Sequence, residues 1–509
     1  MFRPLSRRDF VGSSLKAGAL AGLGDLAFLH RLPPVSAADA KVPREKVQLS
    51  SDIEPLVRLI EDTPRERLFE SVAGQMHEGV GYQQLLAALF LAGARSIQPR
   101  PVGFKFHAVL VVNSAHLASL AMPDRERWLP LFWALDNFKK SQAQNQTESG
   151  WVMAPVAEGK LPSSSQARER FTQAMDNWDE EGADRAIVSL VRSAGAGEVI
   201  ELFWRYGARD FRDIGHKAIY TANSWRTLQT IGWRHAEAIM RSLAYALLEH
   251  EGDNPARRNA EPDLPWRENV KRAAAIRADW QAGKRSPEAT AELLKSSRTA
   301  SAADACEHVV ELVNKGVHPS SLWDGMFLKA GELIMQQPGI IGIHCVTSVN
   351  ALHYGYEASG NDQTRMLLML QAAAFLALFH KRMANGLHEE RQVDTLEKAE
   401  LKATGPDAVG EILTDVSKDR LLAARKTLAL LESGSVSPQA LMTAARRLIF
   451  AKGTDAHDYK FSSAALEDFY HASPTWRNRY LATSMFNLKG SGDKDNPLVE
   501  RARSALEKV

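Results

Sequence analysis

Leu322-Trp-Asp-Gly-Met-Phe-Leu-Lys-Ala-Gly-Glu332, a loop, and then Ile343-His344-Cys-Val-Thr-Ser348 make a helix–loop–helix phrase that can be read four times along the chain. Around His107 it runs Tyr82-Gln-Gln-Leu-Leu-Ala-Ala-Leu-Phe-Leu-Ala-Gly-Ala-Arg95, a loop, and Phe106-His107-Ala-Val-Leu-Val-Val-Asn113. Around His216 it runs Val199-Ile-Glu-Leu-Phe-Trp-Arg-Tyr-Gly-Ala-Arg209 and Gly215-His216-Lys-Ala-Ile-Tyr220. Around His457 it runs Ala440-Leu-Met-Thr-Ala-Ala-Arg-Arg447 and Ala456-His457-Asp-Tyr-Lys460. A recurrence on this length scale is the mark of stacked helical units that cannot bury their apolar faces alone.

The flanks recur as well. Amphipathic helices are predicted near 65–76, 184–194, 301–315 and 417–433, each closed by a glycine turn: Gly79-Val80-Gly81, Gly195-Ala196-Gly197, Gly316 and Gly434. Glycine supplies the left-handed backbone on which helices stop, and Ser437-Pro438 is a cap followed by a favoured first residue. Apolar helices close each unit, beginning near Arg125, Trp233, Thr364 and Trp476. No strand-like alternation of any length interrupts them. The expected fold is therefore all-α: four repeated four-helix units, about 65–140, 184–249, 301–383 and 417–488, packed as an α/α helical array or toroid. Polar inserts near 141–180, 250–300 and 384–416 take up the slack between units.

Ahead of this domain, Ser6-Arg7-Arg8-Asp9-Phe10-Val11 precedes a weakly apolar stretch, Ala17 to Leu29, and Ala38-Asp39-Ala40. That order of charge, apolar run and A-x-A site predicts a twin-arginine signal over 1–40, cleaved after Ala40, with 41–509 exported to the periplasm or beyond by the twin-arginine translocase. The stretch is too short and too polar to span a bilayer, and no transmembrane segment is expected in the mature chain. Proteins that cross folded often carry a cofactor. The 509 residues are 45% apolar and 24% charged, with a net charge of +2, which argues against nucleic acid as a partner; the partner expected is a small-molecule substrate. Cys306 and Cys345 are available for one bridge in an oxidising compartment, but form no C-x-x-C pair.

Helical geometry sharpens the histidine pattern. Seven residues after each histidine, on the same face, stand Ser114, Asn223, Ala351 and Ala464; nine residues after, opposite, stand His116, Trp225, His353 and Leu466. One face suits a cavity and the other suits packing. The candidate site is thus a cavity lined by His107, His216, His344 and His457, able to ligate a transition metal (iron or another), with His344, His216 and Tyr220 as the catalytic candidates and Lys460 and Asp468 on nearby faces. The competing reading has each imidazole donating to a backbone carbonyl and only fixing a helix angle. His77-Glu78 and His235-x-Glu237 lack the spacing of a zinc-protease helix; His353 and Glu357 have the spacing of a carboxylate–histidine pair. No di-iron Glu-x-x-His set, dinucleotide fingerprint, P-loop or nucleophile elbow is present.

The segments Ile343-His344 to Gly355-Tyr356-Glu357 with the apolar Met366–Leu378, Ala456-His457-Asp-Tyr-Lys460 with Ala464-Ala465, and Tyr82–Arg95 resemble the histidine-bearing helices of questin oxidase-like proteins. The resemblance covers most of the mature chain through diffuse helical patterns. It implies an oxidoreductase like the fungal namesake, which opens an anthraquinone ring by oxygen insertion with a reduced nicotinamide cofactor. The export signal is a departure, because soluble nicotinamide is not expected outside the cytoplasm. Two expectations follow: an oxidoreductase acting on an aromatic or carbonyl substrate, metal-assisted, or a non-catalytic helical scaffold or ligand-binding protein.

Overall fold

The structure, a computed structural model, describes residues 46–124 and 126–507, so the signal segment and its cleavage site lie outside the described residues. Among those described, every regular element is a helix, and the single β contact is an isolated bridge between Lys284 and Val317. The opening helices are Leu68–His77, Glu180–Ser193, Ala302–Asn314 and Arg420–Ser433. Gly79, Gly316 and Gly434 take φ of 104°, 87° and 65° where three of them stop. The second differs from expectation. Glu180–Ser193 ends on Ala194 in extended backbone, and Gly195, with φ of −69°, is the N-cap of Ala196–Ala208 instead of a left-handed stop. Ser437 caps Pro438–Lys452 by accepting from the amide of Ala440.

The polar inserts are not slack. They carry Ser164–Asn177, Pro287–Ser296 and Pro406–Val416, each packed on the opening helix that follows it, as Glu54–Asp62 packs on Leu68–His77. Each of the four expected helical stretches is thus preceded by a further helix that its polar sequence hid. These helices expose most of one face, so their polar residues read as loop in the sequence. Cys306 and Cys345 form no bridge: both are free and buried, their thiols turned to the carbonyls of Leu370 and Ile341.

The four histidine-bearing segments form the inside of the molecule. Val112–Leu120, which continues His107–Leu110, packs on Ala456–His471 and on His216–Ile231. Ile340–Ala358 packs on the same two helices from the other side, closing a ring of four. Around it lie Leu129–Glu148, Ala236–Leu247, Asp362–Met383 and Arg477–Thr483, each packed on the inner helix that precedes it. Asp362–Met383 is long and apolar enough to cross a membrane by length and composition, and most of it is buried inside the protein. The ring is latched by Leu498–Leu506, which packs on Leu68–His77 and Leu129–Glu148. There the Arg501 guanidinium stacks 4.2 Å over Phe69 and donates to the carbonyls of Arg65 and Glu66.

Candidate metal centre

Each of the four histidines stands at the start of its inner helix: His107 and His216 are first residues, His457 is second, and His344 is the fifth of Ile340–Ala358. Because the helices run parallel around the ring, their imidazoles meet at one end of its lumen. His107 Nε2 and His344 Nε2 both lie 2.8 Å from His216 Nε2, and the three ligand atoms fall within 4.8 Å of one another. His216 and His344 are buried; His107 is half-buried. His457 stands beside the group instead of in it, its ring centroid 4.5 Å from that of His107 and 5.2 Å from that of His344.

The other ring nitrogens fix the tautomers. His216 Nδ1 donates to the carbonyl of Asp213 at 2.5 Å, and His344 Nδ1 donates to that of Ile340 at 2.6 Å. His457 Nδ1 faces the Asp455 carboxylate at 2.5 Å, which leaves its Nε2 buried without a partner. A neutral imidazole has one N–H and one lone pair, so His216 and His344 turn bare Nε2 lone pairs at each other across 2.8 Å. Two acceptors at that distance do not hydrogen-bond. Protonating one is opposed by burial, which holds His107, His216 and His344 well below the ordinary histidine value, helped by the nearby Lys460 ammonium. The carbonyl bonds that a purely structural role requires are therefore present at Nδ1, while Nε2 presents the lone pairs that a cation takes. A transition metal suits this donor set of neutral imidazoles, two of which, His216 and His344, are held at Nδ1 by a backbone carbonyl as ligating histidines commonly are.

The His216 carbonyl partner is held at a backbone cost. Asp213 and Ile214 adopt φ of 52° and 47°, followed by Gly215 at 80°, three left-handed residues in succession. A β-branched residue such as Ile214 rarely accepts this conformation. A Cβ on Gly215 would collide with Ser348, and one on Gly103, itself at φ of 138°, would press on the His216 ring at 3.2 Å. Nothing in Asp213-Ile214 signals a left-handed run, so this turn is not legible in the sequence.

Beyond the imidazoles the lumen continues as a narrow polar neck of about 10 Å³, room for about one water molecule. Ser114, Asn223, Ala351 and Ala464 all line it, as their spacing predicts. So do Lys460, Thr347 and Ile219, three residues after their histidines, and Arg226 and Glu467, ten after. A stripe at +3, +7 and +10 is the lumen face of a helix packed at small angle in a ring, and reading it in full would have found the Arg226–Glu467 pair. The opposite face packs: His353 lies against Trp323 and Phe327 at 4.8 and 5.0 Å between centroids, and His116 meets the Tyr82 hydroxyl at 3.2 Å. His353 Nε2 and Glu357 are 3.8 Å apart, too far for the hydrogen bond of a carboxylate–histidine pair.

Lys460 is buried, and its amine has no partner; burial pulls it down to about 7. Tyr220 is placed differently from the catalytic reading. Its hydroxyl donates to Ser242 at 2.9 Å and its ring meets Phe106 edge-on, so it ties helices together and makes no hydrogen bond to the imidazoles. Asp468 accepts from Asn350 and Tyr480, and burial holds its carboxyl well above the usual carboxylate range. Compared with protein-family models, curated proteins and solved structures, the chain matches none.

Proposed function

We propose that the protein binds a transition metal through His107, His216 and His344 and is an exported oxidoreductase of questin oxidase-like type, acting on an aromatic or carbonyl small molecule. The observation that carries the metal is the facing of two carbonyl-locked imidazoles, Nε2 to Nε2, at 2.8 Å. Three protein ligands leave coordination positions open, and a metal so held supplies Lewis-acid polarisation or oxygen chemistry. The chain's own residues hold the imidazoles neutral, aim them through Asp213 and Ile340, and place the Lys460 amine where a proton can be given or taken in the neck. Elemental analysis of protein purified after native export is expected to show stoichiometric metal. His344→Ala is expected to abolish it with the melting temperature unchanged or higher, since sites often carry strain that their removal relieves. A folded His344→Ala protein with full metal content would refute the proposal. Export itself is read from Arg7 and Arg8: changing both to Lys is expected to leave the precursor in the cytoplasm, and an unaffected periplasmic yield would exclude that route.

A further inference from the structure

The neck does not end blindly. It shares Ser114, Leu117, Ser463 and Glu467 with a wider vestibule of about 300 Å³ that opens between the His107 and His457 helices. The vestibule is walled by Leu117, Ala118, Leu120, Ala121 and Ile449, with Tyr470 at the rim. Leu120 and Tyr470 are 62% and 55% exposed, two of the few large apolar side chains left in solvent on the described surface. A mouth of this kind offers an apolar body somewhere to lie.

Charge along the route is one-sided. Glu467 is its single carboxylate, and that group is occupied, accepting from Arg226 at 2.5 Å and from Asn350 at 2.7 Å. Arg446, on the vestibule wall, makes no direct ion pair or hydrogen bond among the described residues, and feels the Glu467 carboxylate only at a distance. Lys460, deeper in, has a buried amine with no partner. The three imidazoles at the end bring no negative charge to a bound cation: Asp213, the acid nearest to them in the chain, turns its backbone carbonyl and not its carboxylate to His216, and Asp455 is engaged by His457. A buried cationic centre without a carboxylate ligand needs an anion from outside.

We infer that the route takes an organic oxyanion with an apolar body, a carboxylate or phenolate, whose body lies in the Leu120–Tyr470 vestibule and whose charged head enters the neck toward Lys460 and the metal. This rests on the metal reading for the charge at the far end, while Lys460 and Arg446 stand independently of it. The size of the neck sets the orientation: it excludes the ring and has room for about one oxygen of the head, the space of one water.

Calorimetric titration of the purified full chain with benzoate and with its neutral isostere benzamide tests this, with metal content measured on the same sample. Benzoate is expected to bind at least about tenfold more tightly than benzamide, and Lys460→Met to remove most of that preference. Arg446→Gln, at a half-buried wall position where folding is not at stake, is expected to weaken benzoate about threefold and flatten its salt dependence. Equal affinity for the two probes, or a benzoate preference unmoved by both substitutions, overturns the inference. Stoichiometric metal with equal affinities leaves the metal reading standing and removes only this one. A benzoate preference that depends on Lys460 in protein without metal does the reverse.

Discussion

His353 shows how one residue type serves two ends in this molecule. Nine positions after His344 and on the opposite face, it is enclosed by Trp323, Phe327 and the ring of His471 at 4.7 Å. Burial pushes it well below 6.5, with His471 and Arg226 adding to the shift. The folded protein keeps this imidazole neutral while the unfolded chain takes up a proton below about pH 6.5. Its contribution to stability is thus complete above that pH and is lost as the pH falls, at about 1.4 kcal/mol per unit. His353→Leu is expected to make the urea midpoint fall less steeply than wild type between pH 6.5 and about 5.5. Parallel slopes in the two proteins would mean that His353 is protonated in the fold. That this histidine packs was legible from its spacing; that Glu357 at the right interval stops 3.8 Å short, beyond hydrogen-bond reach, was not, because the rotamer of a half-exposed glutamate is not written in the spacing.

The turn ahead of His216–Ile231 is the least sequence-like element here. Its two left-handed non-glycine residues cost about 1–2 kcal/mol each, and they aim the Asp213 carbonyl at the imidazole. The Asp213 side chain adds to the cost: burial raises its carboxyl to about 6, and Oδ2 has no hydrogen-bond partner. Asp213→Gly removes both penalties and frees the carbonyl to wander. The expected result is an unchanged or slightly higher melting temperature with metal affinity lower by about tenfold, the size of effect that outer partners of metal ligands exert. A clear loss of stability with metal affinity intact would make the turn a packing element and nothing more. Propensity points away from such a turn, which is why the loop before His216 reads as ordinary in the sequence while the helix after it does not.

At the scale of the whole molecule, the all-helical class and the histidine at the start of each inner helix were legible, because each is a one-dimensional pattern of period 3.6, whereas Ser164–Asn177, Pro287–Ser296 and Pro406–Val416 were hidden by their polar faces. The convergence of the imidazoles was not legible either. It depends on ring closure, a long-range property carried by contacts such as Ser463 to Ser114 at 2.8 Å and Arg226 to Glu467, whose partners are hundreds of residues apart. The four-unit repeat makes its own demand: residues 82–140, 198–249, 320–383 and 438–488 should superpose with helices in the same order and direction. Closure is testable at the latch. Arg501→Ala removes the stacking on Phe69 and two hydrogen bonds to carbonyls, and is expected to cost about 1–2 kcal/mol while loosening the seam between the first and last helices of the ring. Faster hydrogen exchange confined to Val112–Leu120 and Ala456–His471 is the expected signature, and uniform exchange across all four inner helices would mean that the latch does not close the ring.

The same ring imposes a clock. Three of its walls precede the fourth in the chain, and until Ala456–His471 docks the lumen is an open trough from which a cation exchanges freely with water. Docking of that last wall turns the trough into a channel walled by whole helices, open through the narrow neck. A cation held as proposed would then leave either by local opening of a wall or along the neck, where there is room for about one water, so its residence time would be set by these routes as well as by its coordinate bonds.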